Sequence, residues 1–206
     1  SDDKTRRLDL DALRSEVQSW FEPSALSRLL GAPEAGETDR IARDWLARAG
    51  KRWRPFLTVC VWKALQENPD AGIPESLKKL AMAVECFHKA SLIHDDIEDE
   101  DAERYGESAL HVEHGVAVAL NCGDLLVGEG YRLIAESGAV ADVQARILRI
   151  AARGHRTLCL GQGAERSWMR DPKPVPSLDV PRLFRPKPDP ACQAPRPSGS
   201  GPPGTA

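Results

Sequence analysis

The densest chemistry in the chain lies in the run His94-Asp95-Asp96-Ile97-Glu98-Asp99-Glu100-Asp101. On a helix, Asp95 and Asp99 stand one turn apart on the same face. Packed carboxylates repel one another, and a hard, oxygen-seeking cation relieves the repulsion. Mg²⁺ suits such a pair because it bridges one or two carboxylates to substrate phosphates. The bland alternative is a solvated acidic helix end, since charge runs usually face water and carboxylates at a helix C-terminus merely oppose its dipole. Upstream, Gly50-Lys51-Arg52-Trp53-Arg54-Pro55 places Lys51, Arg52 and Arg54 in one Gly-to-Pro loop. Arg grips phosphate oxygens bidentately and Lys acts as a point charge, so the loop can cradle a polyphosphate, although basic loops are common. Arg104-Tyr105-Gly106 follows the acidic run at a distance that can return a guanidinium toward the same phosphates.

These residues need helices to position them. Leucines, Val17 and Trp20 recur at helical spacing from Leu8 to Phe21, and Pro23, Gly31, Pro33 and Gly36 then mark a loop. A second helix is expected from Thr38, as N-cap, to Ala49, and a third from Pro55 in the favoured first-turn position. From Pro74 to about Asp96, Leu77, Leu80, Ala81, Val84, His88, Ser91 and Asp95 share one stripe. Val116 to Ile134 is apolar around its circumference and predicts a central helix surrounded by others; Val140 to Glu165 forms another long helical pattern. No segment alternates with period two, so the fold class is all-α.

With the motifs in order, the chain resembles the trans-prenyl-diphosphate synthases, or polyprenyl synthetases. The match comprises GKRxRP at Gly50 to Pro55, Glu-x-x-His-x-x-Ser-Leu-Ile-His-Asp-Asp at Glu85 to Asp96, and DDxxD at Asp95 to Asp99. Asn-x-Gly-Asp at Asn121 to Asp124 and Gly-Gln at Gly161 to Gln162 complete it. The resemblance covers Leu8 to Asp171 and only the first half or so of a complete family member. It implies an isoprenoid-synthase-type helical bundle around a central cavity, incomplete at the C-terminus. Asp95, Asp96 and Asp99 look like Mg²⁺ ligands bridging to an allylic diphosphate, with Arg104 as the allylic-side arginine. Lys51, Arg54 and His88 look like the binders of isopentenyl diphosphate, and Gln162 resembles the glutamine directed into the cavity. A lone histidine at position 88 would more often be core. Asn121 and Asp124 are read as satisfying polar groups inside the bundle.

The reaction implied is condensation of isopentenyl diphosphate with an allylic diphosphate, driven by electrostatic stabilisation of the departing diphosphate. The prenyl tail is expected to run back along the helix before Asp95, with small Ala90 and Ser91 lining the pocket and Phe87 as its floor. One helical turn of about 5.4 Å is close to one prenyl unit. A twenty-carbon product, geranylgeranyl diphosphate, follows, and Ala90→Phe is expected to shorten it.

Two departures qualify the resemblance. Tyr105 stands where many family members carry the second arginine of an Arg-Arg-Gly triplet, with Arg52 or a shifted arginine as the compensating candidate. No second aspartate-rich motif follows Asp124, and Phe184-Arg185-Pro186-Lys187-Pro188 looks like a damaged Lys-Thr region. Eleven of the 16 prolines lie from Pro172 onward, so residues 172–206 are expected to form a disordered tail, with residues 1–171 as the helical domain. The tail resembles out-of-frame coding, and the start without Met points to a fragment. Two other readings stay open: a noncatalytic partner subunit of a complete synthase, and a class I terpene cyclase. The second diphosphate implied by Lys51, Arg54 and His88 is something a cyclase lacks.

Composition bounds the rest. At 206 residues with a net charge of -3, the chain has no global pull toward nucleic acid or an anionic membrane. The five cysteines form no CxxC pair, and no apolar run reaches a membrane-spanning length. The expectation is a cytoplasmic protein that forms a homodimer or partners a complete synthase.

Overall fold

The computed structural model describes residues 9–33, 36–48, 50–68 and 70–172. The proline-rich tail beyond them, and with it the expectation of disorder or out-of-frame coding, lies outside the described residues. The chain divides into two compact units after Ala151. The first holds α1 (Leu10–Ser19), α2 (Pro23–Leu30), α3 (Glu37–Ala47), α4 (Trp53–Ala64) and α5 (Glu75–Asp99). A short hairpin, β1 (Glu103–Arg104) and β2 (Glu107–Ser108), then leads to α6 (Leu110–His114), α7 (Val116–Ala135) and the start of α8 (Ala141–Arg170). The second unit contains the remainder of α8, whose residues are exposed or half-buried. The described residues are therefore all-α apart from that hairpin.

The long helix α5 organises the first unit. Ala81, Met82, Cys86, Ala90 and Ile93 are buried along it, and α7 packs against it more extensively than any other element, with α4 and α3 on further faces. The apolar cluster takes Val17 from α1, Phe21 from the turn after it, Leu26 and Leu29 from α2, Trp45 and Leu46 from α3, and Leu126 and Leu133 from α7. Burial of such side chains contributes roughly 1.5–3 kcal/mol each before conformational entropy is counted.

Several elements differ from expectation for identifiable reasons. Residues 23–30 form a helix because Pro23 occupies its first turn, where the missing N–H costs nothing. Helix α3 begins one residue before Thr38, and Gly36 at its N-cap makes no side-chain hydrogen bond. Helix α4 begins at Trp53, two residues before Pro55, after Arg52 takes a left-handed φ of 47°. Helix α7 is covered on one side only: Ala119, Cys122, Leu126 and Leu133 are buried, whereas Val116 and Leu120 are about half exposed. Asn121 and Asp124 both face outward rather than into the bundle.

Candidate functional site

The end of α5 is shaped by its stop signal. Glu100 adopts a left-handed φ of 57° and the Asp101 amide donates back to the Asp96 carbonyl at 3.0 Å. The chain then reverses through Tyr105 and Gly106, both at positive φ (58° and 77°). That pair of angles marks a two-residue hairpin turn whose twist matches its strands. The register pairs Arg104 with Glu107 and returns Arg104 onto the helix it has just left. Arg104 Nε donates to Asp96 Oδ1 at 2.9 Å, Nη2 engages the same oxygen, and Nη2 also reaches Asp101 Oδ2 at 3.4 Å. The hydrogen bond to Asp96 raises the Arg104 pKa.

The three aspartates consequently differ. Asp96 is 1% exposed, and its Oδ2 is buried without a hydrogen-bond partner among the described residues. Asp95 is half-buried and Asp99 exposed, on the stripe that also carries His88. Burial, followed by the carboxylates Glu98, Asp99 and Asp96, holds the Asp95 pKa above the ordinary carboxylate range. Such crowding is what a divalent cation relieves. Among the described residues no group of three or more His, Cys, Asp and Glu side chains forms a metal-holding cluster. A pair of carboxylates one turn apart fits Mg²⁺ that completes its shell with water and phosphate oxygens rather than with a protein cage.

A cavity of about 470 Å³ opens beside α5, lined by Gly50, Lys51, Arg52, Trp53, Arg54, Glu85, His88 and Tyr105. It gathers Lys51, Arg54 and His88, the basic residues singled out from sequence. Burial and then the neighbouring Arg54 guanidinium push the His88 pKa down. Arg52 is not available to compensate for Tyr105. Its side chain is 1% exposed and donates to Glu85 Oε1 at 2.8 Å, to Leu46 O at 2.8 Å and to Arg48 O at 2.6 Å. Its guanidinium also lies 4.2 Å from the Phe21 ring centre. Arg52 therefore builds the cavity wall, while Lys51 and Arg54 complete its lining.

The cavity and the acidic end are joined by α5 and the hairpin. His88 and Asp95 are two turns apart, about 10.5 Å along the axis. Tyr105 lines the cavity while the adjacent Arg104 holds Asp96. A second contact comes from α7: a Cβ at Gly123 would lie 2.3 Å from His94 Nε2, so any larger residue there would displace the imidazole that precedes Asp95. His94 Nε2 is 3.5 Å from Asp124 Oδ1.

The residues assigned to a tail pocket separate. Phe87 packs edge-on against Tyr131, with ring centres 4.9 Å apart. Ser91 donates to the His88 carbonyl at 2.8 Å on the same half-buried face. Ala90 is 1% exposed and points into the core. Gln162 belongs to the second unit. Sequence reasoning named Glu85 only as the start of the Glu-x-x-His motif, without a role, and did not single out Lys89. Glu85, one turn before His88, carried a positional signal; Lys89 carried none.

Comparison with known proteins is consistent across sequence and structure. The family profile described as polyprenyl synthetase matches residues 37–179. The geranylgeranyl pyrophosphate synthase of Geoglobus acetivorans is 33% identical over 143 residues, 69% of this chain and 43% of that protein. The farnesyl diphosphate synthase of Geobacillus stearothermophilus is 35% identical over 167 residues, 77% of this chain and 54% of its own length. The structure of the geranylgeranyl pyrophosphate synthetase from Geoglobus acetivorans superimposes with a TM-score of 0.69 at 27% identity, covering 84% of this chain and 53% of that one. The Thermotoga maritima geranyltranstransferase gives 0.67 at 25% identity, covering 86% and 62%. This chain thus spans about half the length of the relatives it matches. No described helix is long and apolar enough to cross a membrane.

Proposed function

The chain belongs to the polyprenyl synthetase family, and from that premise we propose that it serves condensation of isopentenyl diphosphate with an allylic diphosphate, giving a geranylgeranyl product. The observation that carries this reading is the cavity that collects Lys51, Arg54 and His88 beside the helix bearing Asp95 and Asp99. Lys51 and Arg54 offer fixed positive charge to the diphosphate of isopentenyl diphosphate. His88, kept toward its neutral form by burial and Arg54, adds a ring N–H donor.

At the acidic end, Asp95 and Asp99 are the residues that would hold Mg²⁺ together with the allylic diphosphate. Mg²⁺ supplies neutralisation of charge on the departing diphosphate. Asp96 serves differently: buried beneath Arg104, it orients the guanidinium. Arg104 retains further N–H groups for the allylic diphosphate, since a guanidinium has five. The half-buried face of Phe87 and Ser91 is the path for the growing chain, with Phe87 as floor.

Incubating the purified chain with isopentenyl and dimethylallyl diphosphates and Mg²⁺, beside Asp95→Ala, tests the proposal. Prenyl diphosphate formed by the parent and lost in the variant is expected, with chain length read from the extracted product. Equal turnover by both would discard it. The chain is further proposed to work in the cytoplasm as a homodimer, which sedimentation of the purified protein tests directly.

A further inference from the structure

Resting on the reading of the basic cavity as a diphosphate site, we propose that Tyr105 is a further diphosphate-binding residue there and that the buried Lys89 side chain positions it. Tyr105 lines the cavity together with Lys51, Arg54 and His88. Its hydroxyl reaches the loop that carries Lys51, because a Cβ built on Gly50 would stand 3.8 Å from it. Tyr105 is 42% exposed and forms part of the cavity lining, where a ligand can meet it. Burial and the nearby Glu85 carboxylate raise the phenol pKa, which keeps the hydroxyl protonated and a donor toward phosphate oxygen.

The ring needs support to point this way. A bulky residue at a φ of 58° is uncommon, and the hairpin turn alone would favour Asn or Gly at that position. The support lies behind the ring. Lys89 is wholly buried, and its Nζ stands 4.4 Å from the Tyr105 ring centre and 5.3 Å from that of Trp45. Nζ also donates to the Arg48 carbonyl at 3.1 Å. Glu85 is held by Arg52 at 2.8 Å. Trp45 donates its ring N–H to the Lys89 carbonyl at 3.1 Å and stacks at a tilt on Tyr105, 6.3 Å between centres. Nζ held between the two ring faces fixes both by packing, and in its protonated form also through their quadrupoles. If packing were the whole purpose, the hydroxyl would be dispensable, which makes Tyr105→Phe the discriminating change.

The measurement is calorimetric titration of the full chain with inorganic pyrophosphate in EDTA, so that only a metal-independent site responds. Tyr105→Phe is expected to weaken binding about tenfold, the loss of one hydrogen bond to a charged acceptor. Lys89→Met should weaken it about threefold, and the double variant about tenfold rather than thirtyfold, because Lys89 acts through the hydroxyl. Strict additivity would overturn the positioning role of Lys89. Tyr105→Phe within twofold of the parent, while Lys51→Ala loses binding, overturns the assignment of Tyr105 and leaves the cavity reading intact. No binding by the parent, or binding indifferent to Lys51→Ala and Arg54→Ala, overturns the cavity reading itself.

Discussion

Arg52 and Lys89 look alike in the sequence, two basic residues near a phosphate-binding motif, yet neither serves as a surface cation. Arg52 is bound to Glu85, 33 residues away, and that separation is why its role could not be read from the Gly50 to Pro55 loop. Arg52→Met leaves Glu85 buried without its partner and is expected to cost about 3–5 kcal/mol in denaturant unfolding, most of it recovered by adding Glu85→Leu. A single-variant loss under about 1 kcal/mol would show the pair to be dispensable. Lys89 faces Arg48, Arg52, Glu85, Trp45 and Tyr105 in a space too dry for easy protonation; burial, then Arg52, lowers its pKa from 10.5 to about 7. Between those values the unfolded chain binds a proton that the folded chain does not. Stability therefore rises with pH across that window, by at most about 1.4 kcal/mol per pH unit, and the full cost of the buried charge is present below it. Above about pH 9 buried thiols such as Cys86, whose pKa is raised by burial, begin to oppose the trend. Lys89→Met should flatten the slope between about pH 7 and 9; an unchanged slope would place the ammonium in water.

At the scale of elements, the site depends on how α5 ends. The aspartates that make the end useful also weaken it, since carboxylates in a last turn oppose the helix dipole. Asp99→Asn is expected to stabilise the metal-free chain by about 0.3–1 kcal/mol while removing the stabilisation gained from Mg²⁺ with pyrophosphate, both read by thermal unfolding. A variant that kept the Mg²⁺ response would remove Asp99 from the proposed ligand pair. The stripe from Leu77 to Asp95 was legible because 3.6-residue periodicity records one face of a long helix directly. The hairpin was not, since two-residue strands are too short to alternate, and its signal lay instead in Gly106. At a φ of 77°, Gly106→Ala is expected to cost about 1–2 kcal/mol and to loosen Arg104 from Asp96. Helix α2 was missed because Pro23 was read as a break, although proline starts a helix as readily as it stops one. The apolar circumference of α7 gave the wrong environment for the same kind of reason: composition reports what a helix can bury, whereas the structure leaves Val116 and Leu120 half exposed.

For the molecule as a whole, the question is whether the basic cavity and the acidic end of α5 hold separate diphosphates. The cavity lining includes Lys51, Arg54 and His88 but none of Asp95, Asp96 and Asp99. The path between the two places runs along two turns of α5, about 10.5 Å, longer than a single diphosphate bridges by direct contact. On the proposed function, two sites are expected, one indifferent to metal and one dependent on it. A ligand bound only by the folded chain stabilises it by about 2.7 kcal/mol at a hundred times its dissociation constant. Pyrophosphate in EDTA is therefore expected to raise the unfolding temperature of the parent and of Asp95→Ala alike, and to leave Lys51→Ala nearly unmoved. Adding Mg²⁺ should bring a second increment in the parent and in Lys51→Ala, absent from Asp95→Ala. If either single variant erased both increments, the two ends would be handling one diphosphate between them, and the division of labour between cavity and aspartates would have to be redrawn as a single site.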